Sequence, residues 1–166
     1  MRALGRTKRR LMTAGAMAVL ASTVAVGTAP VANADECWVL DPGLLCGSVR
    51  NATGYTMHTT TDLNTGDQPD SNTQVRCRVW NTSGSWGWDD RLVWCTQSPL
   101  GSFSTRGGLG TDVDAFTYAY RPYYVRFGLG QWRWRERGVW TKIQSHQAAN
   151  CVSAFGSAPR CTVAPF

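Results

Sequence analysis

Gln74-Val75-Arg76-Cys77-Arg78-Val79-Trp80 alternates polar with apolar side chains at almost every step. In an extended chain, successive side chains point to opposite faces. Period two therefore puts Val75, Cys77 and Val79 on a buried side and Arg76 and Arg78 on a wet one. The segment is predicted to be a half-buried strand. Arg91 to Gln97 reads as its partner, and Asn81 to Asp90, rich in Ser, Gly, Asn and Asp, as the loop between them.

The same period recurs outward from this hairpin. Phe116, Tyr118 and Tyr120 fall on one face of Ala115 to Tyr120, and Tyr123, Val125 and Phe127 on one face of the next strand, after Pro122. Gly107-Gly108-Leu109-Gly110 and Gly128-Leu129-Gly130 are turns. Gln131 to Arg135 and Val139 to Gln144 are expected to pair as a hairpin through Glu136-Arg137-Gly138, and Cys46 to Asn51 with Tyr55 to Thr61 around Thr53-Gly54. Trp132 and Trp134 share one face, Arg133 and Arg135 the other. Thr61 to Thr73 is a polar surface loop. The best helical stretch, Ser145 to Ala149, is too short to be stable alone. Many short strands with Gly-rich turns predict an all-β domain, a sandwich or a small barrel.

Ahead of this pattern, Met1 to Arg10 carries five bases and no acid, Leu11 to Val26 is apolar and small, and Ala32-Asn33-Ala34 has the form of a cleavage site. That order is read as a signal peptide over residues 1–34, followed by a secreted β domain over 35–166, with no membrane span after processing. Arg9-Arg10 leaves the general and the twin-arginine export routes both open. Of the 17 bases the leader takes five and of the 11 acids none, leaving 12 against 11, a net charge of +1. The basic balance of the whole chain is thus no argument for a nucleic-acid partner.

Cys37, Cys46, Cys77, Cys95, Cys151 and Cys161 form an even set in a chain read as exported, which predicts three disulfides. Closeness in sequence, and the hairpin joining 77 to 95, favour the sequential pairing Cys37–Cys46, Cys77–Cys95 and Cys151–Cys161. No C-x-x-C is present, so neither a metal nor another cofactor is expected.

The catalytic repertoire is thin. The mature chain has His58, His146 and Lys142, no G-x-S-x-G, and no spacing that ties either histidine to an acid. Asp89-Asp90 and Asp112/Asp114 read as turn chemistry. The chain is expected not to be an enzyme. Aromatic residues and arginine carry more information. Eight tryptophans are present. Trp94, beside Cys95, is expected in the core. Trp86 and Trp88 lie in a Gly-rich loop that either recognises a sugar ring or protein surface, or folds back as a lid. From Arg121 to Lys142 only Glu136 opposes six bases, and Arg133 and Arg135 interleave with tryptophan, a pattern that docks acidic protein surfaces or shields the outside of a sheet. The loop closed by Cys37 and Cys46 holds Trp38, Leu40 and Leu44. Either it lies on its own domain or it projects, pre-organised, into a partner.

The Arg-rich and Ala-rich leader, from Arg9-Arg10 to Ala34, and the disulfide-stapled β domain behind it resemble small exported actinobacterial proteins. Among these the chain is similar to the small adaptor subunit of umbrella toxin particles. That resemblance implies a non-enzymatic, antibacterial role through assembly, and carries over no functional residue. The expectation is a secreted binding protein, an adaptor whose partner is another secreted or cell-surface protein. A protease or hydrolase inhibitor, or a glycan-binding module, is the alternative.

Overall fold

The computed structural model describes residues 37–40, 43–80, 90–154 and 156–166. The expected leader and residues 81–89, with Trp86 and Trp88, lie outside the described residues, as do the side chains of Trp38, Leu40 and Leu44. In chain order the strands are β1 (Trp38–Leu40), β2 (Gly43–Leu45), β3 (Ser48–Ala52), β4 (Met57–Thr60), β5 (Leu63–Asn64), β6 (Val75–Trp80), β7 (Asp90–Cys95), β8 (Ser98–Leu100), β9 (Ser104–Gly107), β10 (Ala115–Thr117), β11 (Tyr123–Phe127), β12 (Arg133–Arg135), β13 (Val139–Lys142), β14 (Gln147–Val152) and β15 (Arg160–Pro165). The described residues contain no helix. The order β5-β7-β6-β13-β10-β4-β8 forms one sheet, β12-β11-β15-β14-β3-β9 another, and β1-β2 a separate hairpin. One of the two large sheets curls into a half-barrel. The expected all-β class with three disulfides is what the chain forms.

The main core lies between the large sheets. Met57, Trp80, Leu100, Phe116, Val139 and Ile143 meet Val49, Tyr123, Val125, Ala149, Cys151 and Val163 there. A smaller cluster, Cys77, Val79, Val93, Cys95, Ala115 and Trp140 with Leu63 beside it, sits on the other face of the seven-stranded sheet. Neighbours in sequence divide between the two: Val79 from Trp80, Ala115 from Phe116, Trp140 from Val139. These strands are apolar on both faces because both are covered. Burying an aromatic such as Trp80 stabilises by about 3 kcal/mol. It packs on Phe127 at 5.9 Å between ring centroids, and the Arg135 guanidinium lies 3.6 Å over its ring.

The β6–β7 hairpin forms in the expected register, Cys77 opposite Val93 and Val79 opposite Arg91. Val75 is an exception. It opens β6 opposite Cys95, lies outside the small cluster and is 45% exposed. Trp94 is also outside. Cys95 points inward, so its neighbour must point outward, where the Trp94 indole N–H donates to Asp67 O and Arg76 lies over the ring. Phe116 and Tyr118 are buried as expected, but Tyr120 is 82% exposed, since the strand ends at Thr117.

Two expected hairpins do not exist. β3 and β4 belong to different sheets, and so do β12 and β13. The turns at Thr53-Gly54 and Glu136-Arg137-Gly138 carry the chain across the sandwich instead. The first is held by a buried polar cluster. Asn51 Nδ2 donates to Tyr55 O (2.7 Å), Gly101 O (2.9 Å) and Leu100 O (3.3 Å), while Asn51 Oδ1 accepts from Thr53 Oγ1 (2.6 Å) and the Tyr118 hydroxyl (3.1 Å). Every polar atom of the amide is satisfied, which a fully buried Asn requires.

The cysteines pair sequentially, as expected: Cys37–Cys46, Cys77–Cys95 and Cys151–Cys161. Cys151 and Cys161 stand opposite each other on β14 and β15 and are fully buried. Replacing both with alanine is expected to lower stability by about 3 kcal/mol in chemical denaturation, through restored freedom of the unfolded chain and lost packing. A loss under about 1 kcal/mol would mean that the strand pairing needs no staple.

Tyr118 and Tyr123 give the molecule an alkaline limit. Burial pushes the Tyr118 phenol up to about 12 and raises Tyr123 further still. The Tyr123 hydroxyl makes hydrogen bonds with Val139 O (2.8 Å) and Thr141 Oγ1 (2.7 Å). An acid that holds its proton longer when folded contributes stability that is whole below the unfolded value, near pH 10, and is lost as pH rises toward the folded value. Denaturation at about pH 11 should therefore show a stability on the order of 2 kcal/mol below that at about pH 9. Equal stabilities would contradict the burial of both phenols.

Candidate functional site

The six-stranded sheet has a chemical peculiarity. Its strands carry Arg50, Arg106, Arg126, Arg133, Arg135 and Arg160 and no other charged residue. Strand alternation sorts these arginines into two groups with different roles.

Arg106, Arg133 and Arg135 sit on β9 and β12, the two edges, and share the inward parity of Val49, Val125 and Tyr123 opposite them. Arg106 donates to Thr59 Oγ1 (3.1 Å) and Pro99 O (3.4 Å). Arg135 covers Trp80, and burial lowers its pKa. Long cationic side chains lie along the open margins of the core with their stems on apolar surface. Inward-pointing charge on an edge strand also discourages further strands from adding to the sheet. Arg133 and Arg135, singled out in the sequence as partner-binding, are therefore placed at a sandwich margin rather than on the outer face.

Arg50, Arg126 and Arg160 point the other way. The register brings them into two rows that cross the sheet. One runs Thr105, Arg50, Asn150, Thr162, Arg126, and the next Ala52, Val152, Arg160, Tyr124, Trp134. Arg50 and Arg126 lie three strands apart, about 14 Å. Trp132 joins from the turn after β11. Arg126 stacks over its ring at 4.5 Å and Arg160 approaches at 5.5 Å. Arg160 also lies over Tyr124 at 5.7 Å, and Tyr124 meets Trp134 edge to face at 4.9 Å. The Arg126 Nε–H donates to Thr162 Oγ1 at 3.1 Å. Trp134 and Val152 each keep 48% of their surface in water.

The face is thus an exposed plane of arginine, aromatic rings and small polar groups, with no Asp or Glu on its strands among the described residues. Stacking on Trp132 and Tyr124 positions the Arg126 and Arg160 guanidiniums, worth about 0.5–1 kcal/mol per exposed pair. It occupies the flat side of a guanidinium, while the in-plane N–H groups remain able to meet an acceptor. The arrangement can hold carboxylates while its rings cover apolar groups between them. Among the described residues the acids lie elsewhere: Asp62, Asp67, Asp70 and Asp90 on or beside β5 and β7, Asp112 and Asp114 ahead of β10, and Glu136 in the turn after β12. Arg78 pairs there with Asp90 (2.7 Å) and Glu136 (3.5 Å).

Of the residues singled out in the sequence, Trp38 and Leu40 lie on β1 and Leu44 on β2, closed by Cys37–Cys46. Trp86 and Trp88 lie outside the described residues. Arg50, Arg160 and Tyr124 went unremarked in the sequence, because no local spacing joins β3 and β15 to the Trp132 to Trp134 segment. Compared with known protein families, characterised proteins and solved structures, the chain matches none.

Proposed function

We propose that this chain is a non-enzymatic extracellular binding protein, an adaptor that docks an acidic surface of another secreted or cell-surface protein onto the outer face of its six-stranded sheet. The observation that carries the reading is the acid-free set Arg50, Arg126 and Arg160 interleaved with Tyr124, Trp132 and Trp134 on one exposed plane. Arginine and large aromatics are the residue types that dominate docking energetics, and a sheet presents them on backbone that is already ordered. Three disulfides fit an oxidising destination. An assembly role is also what the resemblance to umbrella toxin adaptors implies.

The test is native purification from extracellular fluid. A second chain is expected to co-purify in fixed ratio and to dissociate as salt is raised, since exposed charge contacts are screened. Recovery of the protein alone at low salt would remove the adaptor reading.

A further inference from the structure

We propose that the cavity between the turns at 53–56 and 118–121 is a second binding site, for the carboxylate-bearing ring of an acidic saccharide. It measures about 440 Å³ and is lined by Gly54, Tyr55, Thr56, His58, Tyr120 and Arg121. That size falls within the range of small-ligand sites, roughly 300–1,000 Å³. None of these residues belongs to the arginine face, so the site stands whether or not that face docks a protein.

The cation is placed but unspent. The Arg121 guanidinium lies 3.3 Å over the Tyr55 ring. It forms no hydrogen bond and no ion pair with any described residue. Stacking occupies the flat side of the guanidinium and leaves the N–H fork in its plane, which is the part that grips a carboxylate with two parallel bonds. Beside it, Tyr120 is 82% exposed and meets His58 at 6.5 Å, nearly edge to face. An exposed phenol ring standing at a cavity mouth is a platform for the C–H face of a sugar. Thr56 adds a hydroxyl. At Gly54 no atom lies within 4 Å of where a Cβ would be, so a ligand can approach the backbone.

The walls decide the ligand class. No aliphatic side chain lines the cavity, so there is no hole for the side chain of a peptide, while rings, a hydroxyl and an imidazole suit a hydroxyl-rich ring. The floor is rigid. Asn51 fixes Tyr55 O, and Thr53 and Tyr118 close the same buried cluster, so the turn is ordered before any ligand arrives. Burial lowers the His58 pKa and favours the neutral imidazole, whose Nδ1 is buried without a hydrogen-bond partner among the described residues, leaving Nε2 to face a ligand.

The experiment is calorimetric titration of the intact protein with a galacturonic acid trimer, a galactose trimer as the uncharged control, and a short peptide ending in a free carboxylate. The acidic trimer is expected to bind, the neutral trimer and the peptide are not. Arg121→Gln and Tyr120→Ala should each weaken binding of the acidic trimer by at least ~10-fold. Tyr120 is exposed, so its variant keeps the fold, and circular dichroism checks both. Charge reversal at Arg50 should leave saccharide binding unchanged. No binding of the acidic trimer, equal binding of the neutral one, binding of the peptide, or indifference to both cavity variants in folded protein would each overturn the assignment.

Discussion

Gly107→Ala is expected to destabilise the domain by about 4 kcal/mol, and Gly110→Ala by only about 1 kcal/mol. Both glycines have positive φ, 89° and 74°, so an alanine at either meets backbone strain. What separates them is the space around them. A Cβ on Gly107 would sit 2.7 Å from Ser48 Cα, closer still to Gly47 O, and 3.0 Å from Val113 Cγ2. These are mainly backbone atoms, which cannot swing aside. Gly47 is itself pinned: its N–H donates to Asp112 Oδ1 and its O accepts from the Val113 N–H at 3.0 Å. A Cβ on Gly47 would in turn lie 2.6 Å from Val113 O. Around Gly110 nothing comes within 4 Å. Relief at Gly107 requires β9 to leave β3, which uncovers Val49, now fully buried. Urea denaturation of both variants checks this. Equal losses would mean that the close approach of β9 to Gly47 does not exist.

Reversing three charges together, Arg50→Glu, Arg126→Glu and Arg160→Glu, is expected to weaken capture of the co-purifying partner by about 3 kcal/mol, on the order of 100-fold. Each exposed pair is worth up to about 1 kcal/mol, and reversal replaces attraction with repulsion. Stability should change little, because none of the three side chains enters the core: their strand neighbours Val49, Val125 and Cys161 do. The remaining cost is the stacking of Arg126 and Arg160 on Trp132 and Tyr124 and the Arg126 hydrogen bond to Thr162. Surface plasmon resonance with the isolated partner measures the effect, and a matched triple reversal at Arg76, Arg91 and Arg137, away from the face, is the control. Loss of binding in the control and not in the test variant would place the interface elsewhere.

Much of the scaffold could be read in the sequence, and the reason is alternation. Period two is a property of one strand at a time, so β6, β7 and β11 were legible locally, as were the inward side of β11 and the inward Cys77 and Val79 on β6, whereas Val75 and Trp94 were read inward and face out. Sequential cysteine pairing was legible because each bridge joins segments that are close along the chain. The sheet to which a strand belongs was not. A turn such as Glu136-Arg137-Gly138, with Gly138 at φ 74°, looks the same whether it closes a hairpin or crosses a sandwich. The parallel pairs β3–β14, β11–β15 and β6–β13 join distant segments and leave no local trace. The arginine face depends on two of these pairs. Its Trp132 and Trp134 were visible as a shared face, whereas Arg50 and Arg160 enter only through pairing. Arg133 and Arg135 stood out by their interleaving with tryptophan, yet the register of β12 on β11 turns both toward the sandwich margin.

Hydrogen exchange on the purified complex, compared with the free protein, examines the docking face strand by strand. Added protection is expected in β3, β11, β14 and β15 and in the turn carrying Trp132, with β5 to β7 unchanged. A footprint confined to the seven-stranded sheet, or to the Cys37–Cys46 hairpin, would contradict docking through the arginine face.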